Sequence, residues 1–361
     1  MSAMTPTLLQ RYIAGQPALW RRLLDGREAL TGPFAARFGG DFDRVVLLGS
    51  GSSHYAAQMA RPVLERALGA EVTCLVPSDF GAPPSARRVL YIAVSQSGES
   101  TNIYELIRRL TDAGQAVAAV TERADSPVGQ AASLAVPLPM EPEAIGAKTL
   151  GVTATVLTLM LLGLSVCRDG TWRGELLDAM EDLCSNGEEI LRRARAWSQA
   201  HRAALLPYSH LEVLGCGSGL GAAREGALKL LETNYLPVCA YALDEYLHGI
   251  QNALDGGTCL LCLLPREGPD RTRMLRLADF ARGVGARCCL IAPGGAEDPD
   301  ALVLPDAGHP ALEPLVFLPA VQTLAACLSA ARGIDTSRRR YPAFFSLMGS
   351  KLEEPPCRAG R

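Results

Sequence analysis

Three charged residues, Glu225, Lys229 and Glu232, stand at positions i, i+4 and i+7 of the segment AREGALKLLETNY. On an α-helix this spacing places them on one face. Such a stripe is usually a solvated surface, and the apolar residues on the other sides of this segment leave a packed helix as the alternative. A partly buried carboxylate can take up and return a proton, and burial raises its pKa towards neutrality. A neighbouring lysine opposes that rise while it stabilises developing negative charge.

Two serine-rich loops could bind an anion. GSGSS at 49–53 follows an apolar run, and SQSGEST at 95–101 follows the run VLYIAV. Hydroxyls, backbone N–H groups and a following helix N-terminus together favour phosphate. Either loop alone could be an ordinary turn, but in a parallel sheet both would lie at the carboxyl edge, where ligands bind. The candidate phosphate ligands are Ser50, Ser52, Ser53, Ser95, Gln96, Ser97 and Ser100.

The two halves of the chain repeat one order of elements. RVVLLGSG at 44–51 and LEVLGCG at 211–217 each have the pattern of a strand, a glycine turn and a helix start. Apolar strand segments and helical segments then alternate in both halves, which indicates duplication of a domain. We predict an N-terminal helical segment at 1–34, a phosphate-binding first domain at 35–170, a helical connector at 171–205, a second domain with the charged helix at 206–335, and a tail at 336–361.

The composition is that of a globular protein of two ordinary domains. The 361 residues are 48% hydrophobic and 20% charged, and the net charge of −3 does not favour nucleic acid. We find no secretory signal, and the apolar run at 152–166 is too short to span a bilayer. The 11 cysteines do not form a disulfide framework. Cys259 and Cys262 fall on opposite faces of a strand, which favours core thiols and a reducing cytoplasm.

Taken together, the loops GSGSS and SQSGE and the segments AREGALKLLETNY and DEYLHGI resemble the sugar isomerase (SIS) domain family over about residues 35–352. Its members include the isomerase part of glucosamine-6-phosphate synthase, amino-sugar-phosphate deaminases and fructosamine-6-phosphate deglycases. The resemblance implies an α/β fold of two tandem SIS-type three-layer α/β/α sandwiches, each with a mostly parallel sheet of about five strands. It implies a phosphorylated sugar as ligand, with no metal or other cofactor. No cysteine precedes Cys74, so a glutamine-hydrolysing domain is not expected.

The resemblance also assigns roles to individual residues. Glu232 matches the family's proton-shuttling base, and Lys229 and Glu225 match its supporting polar residues. His248 in EYLHG matches the histidine that opens the sugar ring from the neighbouring subunit, which implies a homodimer in which Glu245 orients the ring. Lys351 in LMGSKLE matches a terminal lysine beside the open-chain sugar.

Two departures from the family pattern leave the substrate open. Ile250 stands where the family commonly has proline after His-Gly, and Leu150 stands where it often has lysine after threonine. Leu150 removes a positive charge at the rim of the sugar site, for which Lys148 could partly compensate. An amino-sugar-6-phosphate deaminase or isomerase is the first expectation. A fructosamine-6-phosphate deglycase and a plain aldose–ketose isomerase are the alternatives within the family.

Two further functions remain as alternatives. Gly217, Gly219 and Ala222 fit the dinucleotide pattern GxGxxA, with Asp244 at a plausible distance for a ribose contact, but the strand already breaks at Gly215. A non-catalytic sugar-phosphate sensor is the other alternative. The roughly 40 residues before the first strand are too few for a helix-turn-helix domain, which disfavours a transcriptional sensor.

Overall fold

Two five-stranded parallel sheets form the frame of the protein, whose computed structural model describes residues 6–81 and 88–352. The first sheet has the order β2-β1-β3-β4-β5 and the second the order β10-β9-β8-β6-β7. Read from the other edge, the second order repeats the first. The strands are β1 (Arg44–Leu48), β2 (Glu71–Leu75), β3 (Val89–Val94), β4 (Val117–Thr121), β5 (Leu134–Pro137), β6 (His210–Gly215), β7 (Val238–Ala242), β8 (Thr258–Leu263), β9 (Arg287–Pro293) and β10 (Leu302–Leu304).

Helices cover both faces of each sheet. They are α1 (Leu8–Ala14), α2 (Gln16–Asp25), α3 (Arg27–Phe38), α4 (Ser52–Leu68), α5 (Thr101–Asp112), α6 (Pro127–Ala131), α7 (Leu150–Ser165), α8 (Gly170–Leu205), α9 (Gly219–Asn234), α10 (Leu243–Tyr246), α11 (Pro269–Gly283), α12 (Glu313–Ala331) and α13 (Phe344–Leu347). The predicted α/β fold with two layered sheets is therefore confirmed.

The central strands are apolar on both faces because helices lie on both sides of them. In β3, Leu90 and Ile92 face a large core that the two halves share, whereas Tyr91 and Ala93 face α5 and α6. Cys259 and Cys262 of β8 likewise belong to opposite cores, as the strand alternation predicted.

The shared core lies between the two sheets. Helices α4 and α7 of the first half and α8, α9 and α12 of the second half pack together there. Segment 310–331 is apolar and long enough to cross a membrane by composition, but 89% of its most apolar window is buried inside the protein. The contact of α4 with α9 matters most for function, because each of these helices follows the first strand of its sheet.

Candidate active site

The three charged residues of α9 form one ion cluster. The Lys229 ammonium lies 3.2 Å from a Glu225 carboxylate oxygen and also donates a hydrogen bond to Glu232 Oε1. Exposure rises along the helix face, from 0% for the Glu225 side chain and 2% for Lys229 to 29% for Glu232. Glu232 is therefore the member of the cluster that a ligand can reach.

Lys229 also connects this cluster to the first half of the chain. Its ammonium donates to Ser52 Oγ at 3.3 Å, at the start of α4. The two helices approach closely because α9 has Gly221 at the crossing, where a Cβ atom would lie 2.6 Å from the Met59 side chain and 3.2 Å from the Tyr55 carbonyl. The predicted base and one predicted serine ligand are thus brought into one site.

The most deeply buried carboxylate of the cluster is that of Glu225, not that of Glu232, which was predicted to be the base. Removal from water raises the pKa of Glu225 to about 7, although the Lys229 charge opposes this rise. Burial by itself would lower the pKa of Lys229, but the Glu225 and Glu232 carboxylates outweigh it and raise that pKa. Lys229 is therefore charged at neutral pH, and Glu225 can hold a proton there.

The second serine loop turns tightly between β3 and α5. Ser95 Oγ donates to Ser100 Oγ at 3.3 Å across the loop. Gly98 has a φ of +69°, and a Cβ atom there would lie 2.0 Å from Ser126 Oγ, so only glycine fits. Among the described residues, no internal acceptor binds the main-chain N–H groups of Gln96 and Ser97. These N–H groups suit an anion.

The side chain of Gln96 lies in a network of buried carboxylates. Its amide nitrogen donates to Glu122 and, at 2.8 Å, to Glu143, both of which are buried. Glu143 in turn accepts main-chain N–H groups at the start of α7, from Thr149 at 2.9 Å and Gly151 at 3.0 Å. Because its side chain holds this network together, Gln96 can offer an anion only its main-chain N–H.

Lys148 belongs to the same network. Its ammonium donates to the Glu143 carbonyl at 2.6 Å and lies 3.9 Å from Glu122 Oε1. Burial raises the pKa of Glu122, and the Lys148 charge opposes that rise. Glu122 and Glu143 are single acidic residues outside any motif, so no pattern in the sequence indicated them.

The tail brings Lys351 to the serine loop. Lys351 pairs with Ser100 in an isolated antiparallel bridge, and its ammonium donates to Ser97 Oγ at 3.3 Å and to Glu99 Oε2 at 2.8 Å. The Leu352 N–H donates to the Glu99 carbonyl at 2.8 Å, which fixes the register.

Ser50, in the neighbouring loop, accepts a hydrogen bond from Asn102 at 3.1 Å. Ser53 is half-buried beside it.

His248 lies on the surface just after α10. It is exposed, and its main-chain N–H donates to the Glu245 carbonyl at 3.1 Å. Within the described part of the chain its ring has no hydrogen-bond or ion-pair partner. No hydrogen bond or ion pair among the described residues joins His248 to Glu232.

A cavity of about 510 Å³ opens beside Glu232. One wall is the end of α9 and the residues that follow it, and the other is the tail between Thr336 and Phe344. Three consecutive arginines, Arg338 to Arg340, contribute to the tail wall. No motif in the sequence indicated this cavity.

Part of the chain matches a known protein family. Residues 41–165 match the SIS domain. The isomerizing glutamine–fructose-6-phosphate aminotransferase of Bacillus spizizenii is 27% identical over 344 residues, which are 90% of this chain and 56% of that protein. The chain thus spans about half the length of the curated relatives it matches.

Solved structures share the fold over nearly the whole chain. A protein of Clostridium difficile 630, provisionally assigned as a phosphosugar isomerase, has a TM-score of 0.85 at 23% identity and covers 96% of this chain and 99% of its own. Glucosamine-6-phosphate deaminase of Thermotoga maritima has a TM-score of 0.73 at 20% identity and covers 93% and 98%. At these identities the likeness establishes the fold.

The chain is therefore built from two like-ordered α/β halves with the fold of tandem SIS domains. Residues 41–165 match the SIS domain, and the chain is homologous to the isomerase part of the aminotransferase. The predicted resemblance is confirmed.

Proposed function

We propose that this protein is an enzyme that transfers a proton between C1 and C2 of an amino-sugar 6-phosphate, with glucosamine 6-phosphate as the first candidate substrate. One observation carries the proposal: Lys229 contacts both Glu232 and Ser52, so a proton-accepting carboxylate and a phosphate-binding loop share one site. Two similar proteins, an isomerizing glutamine–fructose-6-phosphate aminotransferase and a glucosamine-6-phosphate deaminase, are both named for hexose 6-phosphates.

The reaction needs one base that reaches both carbons. In the open-chain amino sugar, Glu232 removes the proton from C2, the electrons of that bond form the C1–C2 double bond, and the carbonyl oxygen O1 takes a proton from water to give an enolamine. Glu232 then returns its proton to C1 while the nitrogen lone pair forms a double bond to C2, and loss of an N–H proton to water leaves an imine at C2. Water adds to the imine and ammonia leaves, giving fructose 6-phosphate. The charged Lys229 stabilises the negative charge that develops on oxygen.

The remaining residues bind and prepare the sugar. The serine hydroxyls and the free N–H groups of Gln96 and Ser97 hold the phosphate, and Lys351 adds a positive charge beside them. His248 of a partner subunit opens the ring by passing a proton between O1 and O5, so the active form is a homodimer. Glu225 lies behind Lys229 and keeps it in position. This chemistry requires no metal or redox cofactor, and we place the enzyme in the cytoplasm.

Product analysis tests the proposal directly. The purified protein is incubated with glucosamine 6-phosphate, and ammonia and fructose 6-phosphate are measured together. Equal amounts of both products are expected, and the Glu232→Gln variant should form neither at a comparable rate. Stabilisation by the ligand without any turnover in the wild type would instead support the sensor alternative.

A deglycase is the second candidate, and the cavity beside Glu232 favours it. Its substrate is a ketose phosphate that carries an amine on C1. The same base would move a proton from C1 to C2, and the imine at C1 would hydrolyse to an aldose phosphate and the free amine. A cavity of about 510 Å³ leaves room for an amine larger than ammonia. Amine release from a fructosamine 6-phosphate, with no ammonia from glucosamine 6-phosphate, would establish this alternative.

A further inference from the structure

Glu212 is a buried carboxylate that the proposed mechanism does not use. It lies in β6, where Leu211 and Val213 belong to the shared core, so its side chain points with Leu214 to the other face of the second sheet. Only 3% of that side chain is exposed. A carboxylate at this depth is costly unless polar partners compensate for the water it has lost, so its place in the strand depends on those partners.

Two polar groups contact the Glu212 carboxylate. The Tyr246 hydroxyl donates to Oε2 at 2.6 Å, and His210 Nε2 lies 3.2 Å from Oε1. Tyr246 is fully buried, whereas 43% of the His210 side chain is exposed. Burial, together with the bond to Glu212, raises the pKa of Tyr246 well above its ordinary value, so the hydroxyl keeps the proton that it donates. The bond to Tyr246 is therefore the contact that is shielded from water.

Tyr246 ends α10, a helix of only four residues. A helix of this length is not stable alone, so contacts with the rest of the protein hold it in place. Besides the bond from Tyr246, Leu243 packs in the core on the same face of the second sheet, and Asp244 forms an ion pair with Arg273 of α11. The Asp244 side chain is 72% exposed, and exposed ion pairs contribute little to stability. The bond to Glu212 is thus the buried polar contact that anchors α10 to β6.

His248 follows α10 directly. The Leu247 N–H donates to the Leu243 carbonyl at 3.2 Å, and the His248 N–H donates to the Glu245 carbonyl at 3.1 Å. The turn of α10 therefore continues through the main chain of His248. Because the His248 side chain itself is exposed, the position of α10 determines where the imidazole can reach.

We propose that the hydrogen bond between Tyr246 and Glu212 positions His248 for ring opening. It holds α10 on β6 and thereby fixes the place and direction in which the imidazole is presented to the sugar. Tyr246 and Glu212 are both buried, so they act through His248 as positioning residues. A proton passes between O1 and O5 only when the acid–base group lies within hydrogen-bond distance, so a small displacement slows this step. The inference rests on the proposed function, in which His248 opens the ring.

A double-mutant cycle tests whether Tyr246 acts through His248. Steady-state kcat/KM is measured with glucosamine 6-phosphate, or with the substrate found by product analysis, for Tyr246→Phe, His248→Ala and the combined variant. Tyr246→Phe should lower kcat/KM roughly tenfold, and this loss should disappear when residue 248 is already alanine. Tyr91→Phe is the control and should keep the wild-type rate, because Tyr91 is equally buried and its hydroxyl has no hydrogen-bond partner among the described residues.

Glu212→Gln is a second variant at the same bond. It keeps a weaker, neutral acceptor for Tyr246, so its loss should be smaller than that of Tyr246→Phe and should also disappear in His248→Ala. Losses that multiply in the combined variants would overturn the inference, because a general loss of folded enzyme acts equally in both backgrounds. A His248→Ala enzyme with the wild-type rate would overturn it too. So would an altered oligomeric state of Tyr246→Phe in light scattering, because lost assembly would then explain the lost rate.

Hydrogen–deuterium exchange separates this inference from the proposed reaction. Without substrate, Tyr246→Phe should exchange faster than wild type in residues 243–249 and at an unchanged rate in α9. Equal exchange in the two proteins would overturn the anchoring role even if the enzyme releases ammonia. Faster exchange in this segment, without turnover of any substrate by the wild type, would support the anchoring of α10 and reject the proposed reaction.

Discussion

The two sheets share one strand order, but their loops at the carboxyl edge differ. After β3 comes the hydroxyl-rich loop at 95–100, in which main-chain N–H groups are free. After β8, the corresponding strand, comes the stretch LPREG at 264–268, which has no hydroxyl side chain. There the Arg266 N–H donates to Glu313 Oε1 at 2.8 Å, so a carboxylate of the protein itself occupies the position that suits an anion.

The helices that follow the first strand of each sheet differ in the same way. Helix α4 starts with Ser52, whose hydroxyl faces the site, whereas the Ser218 hydroxyl before α9 makes only a 3.5 Å bond to the Pro310 carbonyl. Helix α9 instead carries the ion cluster along its buried face. Under the proposed function, the first half would bind the anion and the second half would transfer the proton. Substitutions at matched positions can test this division.

The largest effect is expected at Glu232. Glu232→Gln keeps the size of the side chain but cannot accept a proton, so kcat should fall roughly 10²- to 10⁴-fold while substrate still binds. Steady-state kinetics with glucosamine 6-phosphate, or with the substrate found by product analysis, measures the change. Glu267→Gln, in the second-half loop, is the control and should keep its rate. A Glu232→Gln enzyme with near wild-type turnover would remove this residue from the mechanism.

Removal of loop hydroxyls should give the next largest effect. Ser97→Ala combined with Ser100→Ala should weaken binding of the phosphosugar by about 1.5–3 kcal/mol for each charge-assisted bond lost, and should leave binding of the free sugar much less affected. Calorimetric titration of both ligands measures this difference. Ser218→Ala, at the corresponding edge of the second sheet, should alter neither. Equal weakening for both ligands would place the phosphate elsewhere.

Substitution of one glycine in each loop is expected to lower the free energy of unfolding by different amounts. Gly217→Ala meets open space at φ +53° and should cost about 1–2 kcal/mol of unfolding free energy, from the backbone conformation alone. Gly98→Ala adds a clash with Ser126 Oγ at 2.0 Å and should cost more. Urea unfolding of the two variants gives both values. If the two substitutions cost the same, the loop at 95–100 is less tightly packed than the structure shows.

The smallest effect concerns the dependence of stability on pH. The folded-state pKa of Glu225 is about 7, above its ordinary value of 4.5, because burial disfavours the charged form. Between these values the folded protein binds the proton more tightly than the unfolded chain, so stability falls as pH rises through the window. Glu225→Gln should remove this contribution, so the variant should lose less stability than wild type as pH rises. Urea titrations at pH 5 and pH 8 measure it, and parallel pH profiles for wild type and variant would contradict it.

Many of the strands and helices could be predicted from the sequence, because they depend on residues that are close together in the chain. Uninterrupted apolar runs such as that of β3 indicate strands buried on both faces. The helical spacing of the charged residues on α9 correctly predicted that they meet on one face. These features depend on neighbours within one turn or one strand.

The features that could not be predicted depend on contacts distant in sequence. Gln96 binds Glu122 and Glu143, which lie 26 and 47 positions away, and no local pattern joins these residues. The arginines of the tail reach the cavity only because the chain folds back after α12. Which carboxylate is most buried depends on how α9 packs in the shared core, so the raised pKa at Glu225 was not predicted.

The pairing of Lys351 with the serine loop has a consequence for synthesis of the protein. Lys351 and Ser97 are separated by 254 positions. Domains generally fold as units, the N-terminal one first, while the chain is being made. The first sheet and its loop can therefore form long before the lysine has been added by the ribosome. A nascent chain that stops short of Lys351 can be folded in its first half and still lack a complete phosphate site.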